Sequence, residues 1–254
     1  MIDFHTHVMP GVDDGSRNLE MTMDMIDNSQ MQGVEYICVT PHFITGEYEI
    51  DHESYNRNFE SLKESIGNKV NLVQGLEIYI NPELPKLYEE KKIWGLNENK
   101  YLLIELPMQQ YPIYTDKIFY ELRLRGARPV LAHPERNLAI MKNPELLIDL
   151  LNQGNLAQMN SGSLMGSYGG EIKKFAEKLV SMNLIHMLGS DAHNNGRRNT
   201  NIKSGYERVK ELNKNLFQWI EGNELKVLQG IDVEAPDIIS IKRKRGFFDF
   251  FRKK

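Results

Sequence analysis

The sequence predicts an α/β protein whose parallel sheet closes into a barrel of seven (β/α) units. Seven strand-like segments alternate with helix-like segments along the chain, and this alternation is typical of parallel sheets. Histidine or carboxylate residues lie at or near the C-terminal ends of six of these strands. Parallel α/β barrels place their active sites on that face, with residues supplied by several strands.

The first predicted strand spans residues 1–7, M-I-D-F-H-T-H. Because side chains alternate along a strand, His5 and His7 should share one face and Ile2 and Phe4 the other. A strand at this position leaves no room for the basic and apolar run of a secretion signal. We therefore expect the chain to start directly with its folded domain.

A loop rich in Gly, Pro and Asp follows at residues 8–17, and apolar residues at helical spacing then predict a helix over 18–32. Gly33 stands where helices commonly end. The second strand, Y-I-C-V-T-P-H, should end at Pro41, which cannot donate a hydrogen bond to a sheet, and leave His42 at its tip.

A polar helix is predicted over residues 52–65, followed by a third strand, N-L-V-Q-G-L-E-I, that carries Glu77. Pro82 opens a short helix. The fourth strand, Y-L-L-I-E-L, carries Glu105 near its end and is stopped by Pro107.

Ile118 and Leu122 mark one face of a helix that closes at Gly126. The fifth strand, R-P-V-L-A-H-P, ends on His133, and Leu and Ile spacing predicts a helix over 143–152.

A weaker strand is predicted over 155–160. The N-S-G-S segment at 160–163 is a turn or the N-terminus of a helix. It either caps a helix that starts there or offers backbone N–H groups to an anion. An amphipathic helix over 172–180 leads to the seventh strand, I-H-M-L-G-S-D-A-H, which carries Asp191 and His193 on one face. A seven-stranded barrel would bring this strand beside the first.

The 254 residues are 41% hydrophobic and 26% charged, as in soluble globular proteins. No segment approaches the roughly 20 apolar residues that a membrane span requires. Cys38 is the single cysteine, so no intrachain disulfide is possible and a reducing, cytoplasmic compartment is expected.

Charge is unevenly distributed. Residues 240–254 hold seven Lys or Arg against Asp249 alone, so with a net charge of −4 for the whole chain the rest carries about −10. An acidic body argues against a nucleic-acid partner. We therefore expect one catalytic domain over 1–238 and a tail over 239–254. Basic residues interleaved with four phenylalanines suit an anionic membrane surface or a partner, and a solvated terminus is equally consistent with them.

Each polar residue at a strand end, taken alone, has an ordinary explanation as a core histidine or as a carboxylate paired at the rim of the sheet. Together they predict metal binding, because metal ions would offset the cost of burying so many ionisable groups. Nine ligands exceed what one ion takes, so two or three are implied. Imidazole and carboxylate without thiolate suit Mn, Fe or Zn, and four carboxylates favour Mn. The candidates are His5, His7, Asp14, His42, Glu77, Glu105, His133, Asp191 and His193.

The motifs H-T-H, T-P-H, L-E-I, I-E-L, A-H-P-E-R and S-D-A-H, in this order, closely resemble the polymerase-and-histidinol-phosphatase (PHP) superfamily. Within it they are most similar to the manganese-dependent bacterial protein-tyrosine phosphatases of capsule and exopolysaccharide operons, the CpsB/YwqE group. The resemblance extends to about residue 235 and implies a distorted (β/α)7 barrel. Asp14 and Glu105 separate this group from other PHP proteins, many of which have histidine at these two positions.

This resemblance implies three metal ions. The implied ligand sets are His5, His7, Glu77 and Asp191 for one ion, Glu77, Glu105 and His133 for a second, and Asp14, His42 and His193 for a third. Arg136 and Arg198 match the group's phosphate-binding, catalytic arginines, although Arg197 is an alternative for the second position.

The implied activity is hydrolysis of phosphotyrosine in proteins by a metal-activated hydroxide. The implied partner is a tyrosine autokinase that controls polysaccharide export, at the inner face of the membrane. A thiol mechanism is excluded, because a Cys-x5-Arg loop starting at Cys38 would need arginine where Ile44 stands. The alternatives are a small-metabolite phosphatase, such as one for histidinol phosphate, and a non-catalytic regulatory module with structural metals. The oligomeric state stays open.

Overall fold

Nine β-strands and ten α-helices form residues 1–239, the part of the chain that the computed structural model describes. The strands are β1 (Ile2–Thr6), β2 (Tyr36–Val39), β3 (His42–Phe43), β4 (Asn71–Gln74), β5 (Glu77–Tyr79), β6 (Tyr101–Glu105), β7 (Arg128–Ala132), β8 (Leu156–Asn160) and β9 (Met187–Gly189). The helices are α1 (Leu19–Met31), α2 (His52–Ile66), α3 (Leu84–Glu89), α4 (Thr115–Leu124), α5 (Leu138–Lys142), α6 (Glu145–Asn152), α7 (Ser161–Met165), α8 (Gly170–Ser181), α9 (Lys203–Leu212) and α10 (Lys214–Leu228).

The strands form a curled parallel arrangement of two sheets, in the orders β1-β2-β4 and β3-β5-β6-β7-β8-β9. The predicted second and third strands are each split in two, which is why seven predicted strands correspond to nine observed ones. Pro41 lacks the N–H that would continue the first of them. At the second break, a Cβ on Gly75 would lie 2.9 Å from Leu96 Cδ2, so any larger residue would require the leucine side chain to move.

The first strand lies beside the last, as predicted. Thr6 forms a parallel bridge with Ala192, the His7 amide donates to the Ala192 carbonyl at 2.9 Å, and the Asp191 amide donates to the His5 carbonyl at 2.8 Å. The H-T-H and D-A-H segments are therefore neighbours.

The sheet has an apolar cluster on each face. Leu102 and Leu131 belong to the larger cluster, which includes the buried faces of most helices. Their neighbours Leu103 and Val130 belong to a second cluster, which also contains Phe4. The register between β1 and β2 shifts between Asp3 and Thr6. The side chains of β1 therefore do not alternate strictly between the two faces of the sheet.

The predicted helices are present, with ends that follow local signals. The Asn18 side chain accepts from the Met21 amide at 2.9 Å and begins α1, and Gly33, with φ of +81°, follows its end. The short α5 and the two helices after β9 were not predicted. No helix within residues 1–239 is both long enough and apolar enough to cross a bilayer. The basic and aromatic tail predicted to contact a membrane or partner lies, from residue 240 onward, outside the described residues.

Candidate metal and phosphate site

All nine predicted ligand residues meet at one end of the parallel strands, where β1, β6, β7 and β9 end and the short β3 and β5 begin. Glu77 lies among four histidines: its Oε2 is 3.2 Å from His5 Nε2, 3.3 Å from His7 Nε2 and 2.9 Å from His42 Nδ1, and its Oε1 is 2.8 Å from His133 Nε2. Burial alone would raise the pKa of Glu77, but the imidazoles hold it well below its usual range.

Glu105 and Asp14 lie on either side of this centre. Glu105 Oε1 is 3.7 Å from His133 Nε2. Burial, with the charge of Glu77, raises the pKa of Glu105 to about 8. Asp14 Oδ1 lies 3.3 Å from His193 Nε2 and 3.4 Å from His42 Nε2, and its side chain is half exposed. The site therefore opens to solvent on the Asp14 side.

Asp191 joins the histidine cluster to two arginines. Its Oδ1 lies 3.5 Å from His7 Nε2 and 3.4 Å from His193 Nδ1. Arg136 Nη1 donates to Oδ2 at 2.6 Å, and Arg198 Nη2 donates to Oδ1 at 2.9 Å. The φ of Asp191 is +53°, a left-handed conformation that costs a non-glycine residue about 1–3 kcal/mol and that clusters at functional sites.

The donor set fits divalent metal ions. Glu77 Oε2 and His42 Nδ1 are buried and lie near each other, yet neither has a partner in hydrogen-bonding geometry. Buried polar atoms without partners are costly, and a cation would satisfy them. Three groups of ligand atoms within residues 1–239 lie within 4.8 Å of one another: His7, Asp14, His42 and His193; His5, His7 and Glu77; and His42, Glu77 and Glu105.

Asp13, which the sequence analysis did not select, supports these ligands from behind. Its Oδ2 lies 2.7 Å from His7 Nδ1 and accepts from the His42 amide at 2.9 Å, and its Oδ1 accepts from the Gly15 amide at 2.9 Å. A carboxylate on one ring nitrogen fixes the histidine so that the other nitrogen faces the metal. The D-D-G turn was the available signal, but spacing alone could not separate Asp13 from Asp14.

Arg136 is also held by Tyr168, another residue that the sequence analysis missed. The Arg136 Cζ lies 4.4 Å from the centre of the Tyr168 ring, which is a cation–π distance. Tyr168 lines a cavity of about 230 Å³ together with Arg197 and Arg198. A basic, aromatic cavity thus adjoins the histidine cluster.

The N-S-G-S segment begins α7, and Asn160 makes no side-chain cap there. The backbone N–H of Asn160 instead donates to Glu135 Oε1 at 3.0 Å, and Ser163 Oγ donates to the same oxygen at 2.7 Å. Burial raises the pKa of Glu135 to about 7. The glutamate of the A-H-P-E-R motif therefore ties the end of β8 to the segment that carries Arg136.

Known proteins resemble this chain over nearly its whole length. YwqE, a tyrosine-protein phosphatase of Bacillus subtilis, is 35% identical over 254 residues, which is 98% of this chain and 100% of that protein. Crystal structures are known of YwqE from Bacillus subtilis and CpsB from Streptococcus pneumoniae, which are metal-dependent tyrosine phosphatases. One chain from these structures superposes on the present chain with a TM-score of 0.89 and 32% sequence identity. The superposition covers 95% of this chain and 100% of that one.

A histidinol phosphate phosphatase of Lactococcus lactis superposes with a TM-score of 0.57 at 14% identity, over 85% of this chain and 93% of that one. This likeness concerns the fold alone. The family profile described as capsular polysaccharide synthesis, CpsB/CapC, matches residues 1–224. The chain therefore belongs to the CpsB/CapC family.

Proposed function

We propose that this protein is a metal-dependent phosphatase that hydrolyses phosphotyrosine in proteins. The observation that carries the proposal is the convergence of Arg136 and Arg198 on Asp191, at the edge of a cluster of histidines and carboxylates. Arginine side chains match phosphate geometry, and His and carboxylate clusters suit divalent ions. The tyrosine phosphatase named YwqE supports the choice of substrate.

The proposed metal ligands are those of the sequence analysis, shared among up to three ions with Mn preferred over Fe or Zn. Bound divalent ions would supply Lewis acidity and lower the pKa of a coordinated water toward neutrality. We also propose that the two sheets work as one distorted seven-stranded barrel, which the contact of Thr6 with Ala192 supports.

The chain's own residues would hold the phosphoryl group. Arg136 and Arg198 donate hydrogen bonds to oxygens that gain charge as the transition state forms. The phenol of tyrosine has a pKa of about 10, so phenolate leaves without a strong general acid. Tyr168 and the cavity beside Arg198 offer a wall for the aromatic ring of the substrate.

The proposed partner is a bacterial tyrosine autokinase that regulates capsule or exopolysaccharide synthesis, met in the cytoplasm at the inner face of the membrane. The capsular polysaccharide synthesis family supports this role. Contact of residues 240–254 with anionic lipid belongs to the same proposal and rests on their basic and aromatic composition.

The test compares hydrolysis of a phosphotyrosyl peptide and of histidinol phosphate by the full chain in Mn²⁺ buffer, with metal content measured in parallel. We expect faster turnover of the peptide and loss of turnover with a chelator. His5→Ala and Asp191→Ala should lose both metal and activity. A preference for histidinol phosphate would favour a metabolite phosphatase, and a metal-loaded protein that hydrolyses neither would favour a regulatory module.

A further inference from the structure

Strand β8 carries two buried amide side chains, although it supplies none of the nine predicted metal ligands. Gln158 and Asn160 are both fully buried. Burying an amide is costly unless its donor and acceptor groups find partners. The partners of these two amides are therefore informative about what β8 does.

The two amides connect two of the predicted ligands. His5 Nδ1 lies 3.1 Å from Gln158 Oε1. Gln158 Nε2 donates to Asn160 Oδ1 at 3.0 Å, and Asn160 Nδ2 donates to Asp191 Oδ2 at 2.8 Å. A continuous chain of three hydrogen bonds thus runs behind the site from His5 to Asp191.

The charge of Asp191 fixes the direction of this chain. An ionised carboxylate only accepts, so Asn160 must present its Nδ2 to Asp191 and its Oδ1 to Gln158. Gln158 must then present Nε2 to Asn160, which leaves its Oε1 facing His5. Since that oxygen only accepts, His5 must carry a proton on Nδ1. In the neutral imidazole Nε2 then has a free lone pair for a metal ion.

Gln158 and His5 are tightly packed against Gly189 of β9. A Cβ on Gly189 would lie 2.6 Å from Gln158 Nε2 and 2.5 Å from His5 Cβ, so any larger residue at 189 would displace the amide or the imidazole. Glu135 Oε1 also accepts a hydrogen bond from the backbone N–H of Asn160 at 3.0 Å, which holds this residue at the end of β8.

We propose that Gln158 and Asn160 are positioning residues that set the tautomer of His5 and the orientation of Asp191 for metal binding. The inference rests on the proposed metal site. Partners of this kind, which hold a ligand without touching the metal, commonly change metal affinity 10- to 100-fold.

The first test observes the tautomer directly. In the full chain labelled with ¹⁵N-histidine, freed of metal and held at a pH where the His5 imidazole is neutral, His5 should show a single Nδ1–H form. Its signals are assigned by their loss in His5→Asn. Gln158→Met, similar in size but without an amide, should give a mixture of tautomers. Gln158→Glu keeps an acceptor for His5 and should keep the Nδ1–H form.

The second test measures Zn²⁺ affinity by competition with a chelator. Gln158→Met and Asn160→Ala should bind about 10- to 100-fold more weakly. Asn155→Ala is the matched control, because Asn155 is also buried and donates to the Leu150 carbonyl at 2.7 Å, away from the site. It should lower thermal stability and leave affinity unchanged.

Two results would overturn the proposal: Gln158→Met with the His5 tautomer and affinity of the unaltered chain, or Asn155→Ala with an equal loss of affinity. Neither measurement depends on turnover. A chain that keeps the Nδ1–H form and binds metal, yet hydrolyses no phosphotyrosine, would refute the proposed activity and leave this inference intact.

Discussion

Arg136 donates from Nη1 to Asp191 Oδ2 at 2.6 Å, across 55 residues of sequence. Arg136, which is predicted to bind phosphate, is thereby held by Asp191, which is predicted to bind metal. Tyr168 covers the guanidinium, with its ring centre 4.4 Å from Cζ. The arginine is therefore oriented before a substrate arrives, which is what electrostatic stabilisation of a transition state requires.

Arg136→Ala should reduce kcat/KM for a phosphotyrosyl peptide by roughly 10²- to 10³-fold, the usual cost of removing one such donor. Metal content at saturating Mn²⁺ should stay at the level of the unaltered chain, because the arginine is not a ligand. Steady-state kinetics with elemental analysis checks both. Arg17→Ala, on an exposed side chain, serves as the control. Normal kinetics in Arg136→Ala would contradict its role.

The two neighbouring arginines that the sequence left as alternatives differ in their contacts. Both line the adjoining cavity, and Arg198 Nη2 also reaches Asp191 Oδ1 at 2.9 Å. Arg198→Ala should therefore lose about 10²-fold in kcat/KM and Arg197→Ala only a few-fold, mainly through KM. A larger loss in Arg197→Ala would reverse the assignment.

Asp13→Ala should weaken metal binding by about 10- to 100-fold, because it leaves His7 Nδ1 and the His42 amide without their shared acceptor. Calorimetric titration with Mn²⁺ or Zn²⁺ measures the change. Asp149→Ala, an exposed carboxylate on α6, is the control and should bind as the unaltered chain does. Equal affinities for both variants would show that Asp13 does not support the ligands.

Glu224 predicts a pH dependence of stability away from the site. Burial raises its pKa from 4.5 to about 7, and its carboxyl group contacts the hydroxyl of Tyr206. Because the folded state favours the protonated form, this contribution is complete below pH 4.5 and is lost as the pH rises through 7.

Glu224→Gln should remove that dependence. Relative to the unaltered chain, the variant should gain on the order of 1–3 kcal/mol of unfolding free energy between pH 5 and pH 8. Urea denaturation at both pH values measures the difference, and Glu207→Gln, on an exposed side chain, should give none. A constant difference across this range would contradict the raised pKa.

Much of the fold and the site could be predicted from local patterns. Apolar spacing predicts most helices, as for α1 and α8, and short apolar runs bounded by proline or glycine predict strands such as β6 and β7, because both patterns extend over only a few residues. His42, Glu77 and His133 could be placed together because parallel strands end at one edge of a sheet. The six motifs then indicated the CpsB/CapC family.

Only the tertiary structure decided which residues support that site. The contacts of Gln158 with His5 and of Tyr168 with Arg136 each join segments that are far apart in the sequence and carry no mark of each other. The folded loop after β1 decides that Asp13, and not Asp14, lies against His7 Nδ1. The break after β4 likewise depends on packing, because a Cβ on Gly75 would lie 2.9 Å from Leu96 Cδ2. Local sequence sets backbone preference, whereas contacts between distant segments form only when the whole chain closes around its core, so they leave no periodic signal to be recognised.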